Sequence, residues 1–243
     1  MVVAVVAGVV VVAAASGLIL HDSAKPASVA DAISRFRAGG SARGKLDGVY
    51  LYATSGGESV DALGGAKHRY PATTSLTAVG VPCGVKLRWD ALQGRTATWT
   101  LCATSRGTEL RSEDVVHRFF GQTDDTNYEC SGTILLPASE AVGSTSPLHC
   151  RSRQAGQAGV ARVVGRETIT VGGRRLNTVH VRTKAEIAGG DNGDETVDWW
   201  LDAASGLPVR IAMTSRTSRK TVIGRVHYAE DVQLRLVSTT PKR

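Results

Sequence analysis

A chain of 243 residues with 42% hydrophobic and 21% charged side chains has the apolar mass for a packed core, which excludes a wholly disordered protein and allows one large domain or two small ones. Its formal charge of +7, carried by far more Arg than Lys, suits anionic lipid head groups or acidic envelope polymers, or simply a well-solvated surface. The charge is unevenly placed, because residues 2–20, VVAVVAGVVVVAAASGLIL, contain none.

Nineteen helical residues span about 28 Å, close to the hydrocarbon core of a bilayer. Residues 1–21 therefore read as a transmembrane signal-anchor, with a cleaved signal peptide as the alternative. The run is longer than a usual signal h-region, and no A-x-A site or lipobox cysteine follows it directly. No Lys or Arg precedes it, which runs against the positive-inside pattern. The expected location is the cell membrane, single-pass, with the rest of the chain on the extracytoplasmic side, or secreted if the segment is removed. Nucleic acid is not an expected partner there.

Residues 22–45 read as a connector holding one short amphipathic helix, SVADAISRFRAGG. Ser28 caps it, Val29, Ala32, Ile33 and Phe36 form the apolar stripe, and Gly39-Gly40 stop it.

Residues 46–240 form the third unit, an extracytoplasmic β domain with period-two patterning. LDGVYLYAT, TTSLTAV, CGVKLRW and TATWTLCA read as strands. SGGES, at 55–59, reads as a turn or bulge; no G-K-[ST] follows it, so it is not a phosphate loop. GVARVVGRETITV and RRLNTVHVRTKAEI form a long hairpin about Gly172-Gly173. GGDNG makes the next turn, with Asn192-Gly193 at its centre, and ETVDWWLD the next strand. VRIAMTSR follows, then TVIGRVHYAEDVQLRLVS as one last strand, with Val222, Val226, Tyr228, Val232, Leu234 and Leu236 on one parity. The loop 137–158 reads as the least ordered stretch. Roughly ten strands with short connections give a mainly β fold, an antiparallel meander forming a curved sheet, half-barrel or barrel.

Four cysteines, Cys83, Cys102, Cys130 and Cys150, suggest two disulfides in an exported chain. Three pairings are possible. Folding CGVKLRWDALQGRTATWTLC as a hairpin sets Cys83 opposite Cys102, so the sequential pairing is preferred. A four-cysteine metal site would lack any C-x-x-C spacing, and neither metal nor cofactor is expected.

The segment TVDWWLDAASGLPVRIAMTSR resembles a superfamily of periplasmic carriers of outer-membrane lipoproteins, related envelope lipid-binding lipoproteins and sensors that restrain anti-sigma factors. The likeness rests on Trp199 or Trp200, Asp202, Gly206, Leu207 and Pro208. It implies a curved antiparallel half-barrel whose concave side is closed by helices over a lipid-sized cavity. The disulfides and the absence of a lipid-anchor cysteine depart from that pattern. The whole chain is also similar to secreted or membrane-anchored proteins of GC-rich bacteria, a likeness that implies no activity.

The densest polar cluster is EDVVHRFFGQTDDTNYEC, with Glu113, Asp114, His117, Asp124 and Asp125. It reads either as a metal or acid–base site across a hairpin, a hydrolase in that case, or as a strand with exposed charges and an Asp-rich turn. DNGDE, 191–195, is too short for an EF-hand loop. Trp199 and Trp200 are sequence neighbours in a strand, so one faces the core and the other a ligand or partner. The residues expected to line a binding surface are Trp99, Trp199, Trp200, Phe119 and His117. The expected function is binding without catalysis, of an apolar or lipid-like ligand or an envelope protein, on a concave face or a sheet edge. An envelope regulator or sensor acting through protein contacts is the alternative.

Overall fold

The computed structural model describes residues 22–39, 44–139 and 141–243. The apolar run at 2–20 lies outside them; no helix among the described residues is long and apolar enough to cross a membrane. Helix α1 (Val29–Ala38) forms as its sequence dictates: Ser28 Oγ accepts the Asp31 N–H at 3.2 Å, and the N–H of Gly39 closes on Arg35 O. Its stripe is the least exposed part, with Ala32 fully buried. Arg35 reaches Asp90 at 2.8 Å. Asp90 points away from its neighbour Trp89, which is in the core, so α1 lies on the outer face of the sheet.

Fourteen strands follow among the described residues: β1 (Gly48–Val60), β2 (Ala66–Arg69), β3 (Thr73–Val81), β4 (Gly84–Leu92), β5 (Arg95–Thr104), β6 (Gly107–Phe119), β7 (Gln122–Ser131), β8 (Ile134–Pro137), β9 (Thr145–Arg151), β10 (Ala155–Val171), β11 (Arg174–Gly189), β12 (Asp191–Asp202), β13 (Pro208–Thr221) and β14 (Gly224–Leu236). All pairings are antiparallel, and sequence neighbours pair through most of the sheet, so the expected meander is present. The order then returns to its start, because β1 pairs β14 from Tyr52↔Leu236 to Val60↔Tyr228. The sheet is thus ring-like. Strand β2 shares the other edge of β1 with β3, and among the described residues β8 pairs only β6.

Several local expectations are corrected. SGGES is no turn: β1 runs straight through it, with β14 on one side and β2 on the other. The glycines serve close approach. A Cβ at Gly56 would stand 2.0 Å from Asp231 O, and one at Gly57 2.2 Å from His68 O. The stretch 137–158 contains the end of β8, all of β9 and the start of β10. Its Ser, Gly and Ala content hides strands that are held by register and by the disulfide rather than by side-chain bulk. The GGDNG turn falls at Gly190, and Asn192 and Gly193 already pair in β12. TVIG is the β13–β14 turn, so Val222 stands 98% exposed instead of in the core row. The implied covering helices are not seen over the concave side among the described residues; α1 is outside.

The two ends of the ring differ. One end holds the β3–β4, β5–β6, β10–β11 and β12–β13 connections, and its interior is apolar: Tyr52, Leu76, Leu87, Leu101, Leu201, Ile211 and Leu234 are fully buried. Trp99 and Trp199 meet edge to face at 5.1 Å nearer the middle. The other end holds the β4–β5, β6–β7, β9–β10, β11–β12 and β13–β14 turns, and its interior is charged. It is called the charged end below.

Both expected disulfides are formed, Cys83–Cys102 and Cys130–Cys150. They close loops of similar length, each worth roughly 3 kcal/mol by chain entropy, but they brace different seams. Strands β4 and β5 share a ladder from Gly84↔Cys102 to Leu92↔Arg95, whereas β7 and β9 share only Glu129↔Arg151, Cys130↔Cys150 and Ser131↔His149. Replacing Cys130 and Cys150 with Ala should therefore lower the denaturant midpoint more than replacing Cys83 and Cys102, and should open residues 131–145 to limited proteolysis. Equal losses and equal cleavage would mean that the β7–β9 seam holds without its bridge.

Candidate functional site

The charged end is built from strand residues that fall on the inward parity of otherwise apolar rows. Glu58 follows Tyr50, Tyr52 and Thr54 along β1; Arg95 precedes Ala97, Trp99 and Leu101 along β5; Glu230 precedes Val232, Leu234 and Leu236 along β14. Arg95 and Glu230 form a two-pronged ion pair, Nε–Oε1 3.0 Å and Nη2–Oε2 2.8 Å, with both side chains 1% exposed. The Tyr70 hydroxyl donates to Glu230, and Arg95 lies over the Trp89 ring at 5.2 Å. Glu58 is held by His68 Nδ1 at 3.0 Å, His117 Nδ1 at 3.1 Å and the Tyr228 hydroxyl at 3.1 Å, with Arg95 at 3.9 Å. Phe119 stacks on His68 at 4.4 Å, and Asp22 from the N-terminal segment stands 3.2 Å from His68 Nε2. Nearer the mouth, Arg219 on β13 bridges Asp124 on β7 (2.8 Å) and Asp191 on β12 (2.6 Å).

Beside this network the ring has a notch. Because β9 meets β7 at only three residue pairs, the β7 edge from Gln122 to Tyr128 has no strand partner on that side among the described residues. A cleft of about 900 Å3 lies there, lined by Asp114, Asp125, Asn127, Tyr128, Glu129, Arg151 and Arg153 among others. Arg151 and Arg153 are both outside the core, and neither has a carboxylate partner among the described residues. The Cα atoms of Cys130 and Cys150 are 4.0 Å apart, the spacing of a non-hydrogen-bonded antiparallel pair. Glu129 is then a hydrogen-bonding position toward β9, and the alternation turns the N–H and C=O of Asn127, Asp125 and Thr123 to the cleft.

The residues expected to line a binding surface are dispersed. Trp99 and Trp199 are core side chains. Trp200 faces outward, as its place beside Trp199 requires, but stacks on His180 at 4.1 Å under Arg210 at 4.3 Å, and its indole N–H donates to Glu167. Phe119 and His117 belong to the charged end. The five-residue acid–base candidate does not gather into one group. Glu113 points inward, where Trp99 Nε1 donates to it at 2.8 Å. Asp114 points outward into the cleft, Asp124 is held by Arg219, Asp125 accepts from Asn127, and His117 is on Glu58. The Asp pair is within β7 rather than in a turn; the turn is Phe120-Gly121. Glu58, His68, Arg95, Tyr228 and Glu230 complete the network and are not among the residues that the sequence motifs single out. The signal was present as a charge on an apolar parity row, at Arg95 and Glu230 above all.

The electrostatics separate two kinds of carboxylate. Burial pushes Glu58 up, but hydrogen bonds from His117 and His68 and the charges of His117 and Arg95 outweigh it and leave Glu58 at about 2. His68 is raised by its bond to Glu58, against burial, with help from the charges of Glu58 and Asp22. Glu113 and Glu195 are both raised, first by burial and, for Glu195, next by the nearby charge of Glu113. No protein-family model, curated protein or solved structure matches the chain.

These directions fix a pH response. Glu58 is depressed on folding, so its contribution is full above its unfolded value of about 4.3 and is lost as pH falls toward 2. His68 is raised, so its contribution is full below about 6.5 and is lost as pH rises through its folded value. Glu113 is raised, so it costs stability as pH climbs above about 4.3. Urea denaturation should show Glu58→Gln destabilising by about 3 kcal/mol at pH 6, with a flatter acid limb. Glu113→Gln should raise the midpoint at pH 8 and give no gain at pH 4. The opposite signs would show that the two carboxylates have exchanged roles.

Proposed function

We propose that this protein is a membrane-tethered, extracytoplasmic binding domain that takes an extended segment of an envelope protein as an added strand on the open edge of β7. The observation that carries the reading is the stretch Gln122–Tyr128, which among the described residues pairs with β6 on one side and with no strand on the side of the 900 Å3 cleft. An edge of this kind offers backbone donors and acceptors to a partner strand, and pockets for alternate side chains then set specificity. The cleft supplies both signs of charge, Asp114, Asp125 and Glu129 on one wall and Arg151 and Arg153 on the other, which favours a polar peptide over a lipid chain. Two disulfides support an oxidising compartment, and the uncharged run 2–20 supports the tether. A regulator or sensor would use the same edge. The apolar-ligand version of binding draws less support, because Leu87 and Leu234 at the apolar end and Trp99 and Trp199 nearer the middle fill the concave side.

A photo-crosslinking residue at Asn127 should give one discrete protein adduct in native membranes. Asp125→Pro, which removes an N–H on the cleft side only, should abolish that adduct while shifting thermal stability little. A Pro variant that crosslinks as well as the parent would rule out strand addition at β7.

A further inference from the structure

The β13–β14 turn breaks the usual chemistry of a two-residue hairpin. Such tips favour Asn-Gly or Asp-Gly; here they are Val222 and Ile223, 98% and 60% exposed. The backbone does not require them. The left-handed position is taken by Gly224 at φ 115°, and Thr221 Oγ1 fastens the turn by donating to Gly224 O and accepting the Ile223 N–H. Two branched apolar side chains held into solvent by a well-made turn point to something that they touch.

Their surroundings say what. Lys220 and Arg225 are directly opposite one another beneath the tip, both exposed and neither paired with a carboxylate among the described residues. At the same end, the turn between β1 and β2 carries Leu63, 49% exposed at φ 54°. That turn is tied to β14 by Asp61, which accepts the His227 N–H at 2.7 Å and faces His227 Nδ1 at 2.7 Å, so its one acid is engaged. Lys67 and Arg69, on β2 below it, are exposed without an ion partner among the described residues. Asp22 accepts the Phe120 N–H at 2.9 Å in the β6–β7 turn. Asp22, which follows the uncharged run 2–20 in sequence, is therefore held at this same end.

We infer that the charged end of the ring docks on an anionic membrane surface, with Val222, Ile223 and Leu63 entering the interface and Lys220, Arg225, Lys67 and Arg69 meeting the head groups. Apolar tips ringed by Lys and Arg are the composition of interfacial anchors. The proposal rests on the tether reading for its orientation. It adds a second contact that would fix the tilt of the domain and hold the β7 cleft at a set height above the lipid.

The test is Ile223→Trp in the full-length chain, mixed with vesicles whose acyl chains carry bromine, made of phosphatidylcholine alone or with phosphatidylglycerol. The four native tryptophans are buried, so the added one reports the tip. Expected are flotation with the vesicles and at least ~twofold quenching of the added emission in anionic lipid. Lys220→Glu with Arg225→Glu should reduce that quenching, and a tryptophan at Val142→Trp, in the connection at the opposite end, should stay bright. Flotation with an unquenched tip overturns the docking and leaves the tether. Flotation and tip quenching that both require anionic lipid keep the docking and overturn the tether. Equal quenching at both positions, or no flotation at all, overturns the docking.

Discussion

The pairing of β1 with β14 is the constraint on which the rest depends. It joins the first and last strands of the described domain, at a sequence separation that makes it slow and entropically costly to form. It also sets Glu58 on β1 beside Glu230 on β14, directly opposite in register. Two carboxylates so close would repel in a dry interior; Arg95 pairs with Glu230 and stands 3.9 Å from Glu58, and the two histidines bond Glu58. Closure and the charged end are therefore one device. The Gly56 backbone approach, which no side chain tolerates, permits the ladder, and the Arg95 fork makes it electrostatically bearable. Removing either charge of that buried pair is expected to be far more damaging than its small size suggests.

The fold was legible where side chains alternate and opaque where they do not. The long arms of β10 and β11, the Trp199 strand and the Cys83–Cys102 hairpin could be read from period two alone. Strands β8 and β9 could not, since ILLP is too short and TSPLHCR holds Ser, Pro and His where bulk is expected. SGGES failed for a different reason. Its glycines suggest a turn, whereas a strand flanked closely on both edges also excludes Cβ atoms. The β13–β14 turn was invisible because its tip carries strand-forming residues.

The site was less legible than the fold. His117 and Phe119 are in the charged end, and the sheet-edge form of binding has a physical counterpart in β7, but the tryptophans resolve into core packing and an outer stack. What could not be read was which cations and carboxylates converge, because Glu58, Arg95 and Glu230 come from three separate strands that only closure brings together. Asp124 and Asp125 are adjacent in sequence yet face opposite sides of β7, one to Arg219 and one to the cleft. Neighbouring charges on a strand cannot act on one centre without a bulge, and β6 and β7 pair without one across this stretch.

A ring closed firmly at β1–β14 and left open at β7 makes one prediction above all. Native-state hydrogen exchange should find the amides of Tyr52–Val60 and of 228–236 among the slowest in the protein, opening only with global unfolding. The amides of Thr123, Asp125 and Asn127 should exchange orders of magnitude faster, although they belong to a regular strand. Rapid exchange along β1 and β14, or strong protection of those three β7 amides in the free protein, would contradict the account.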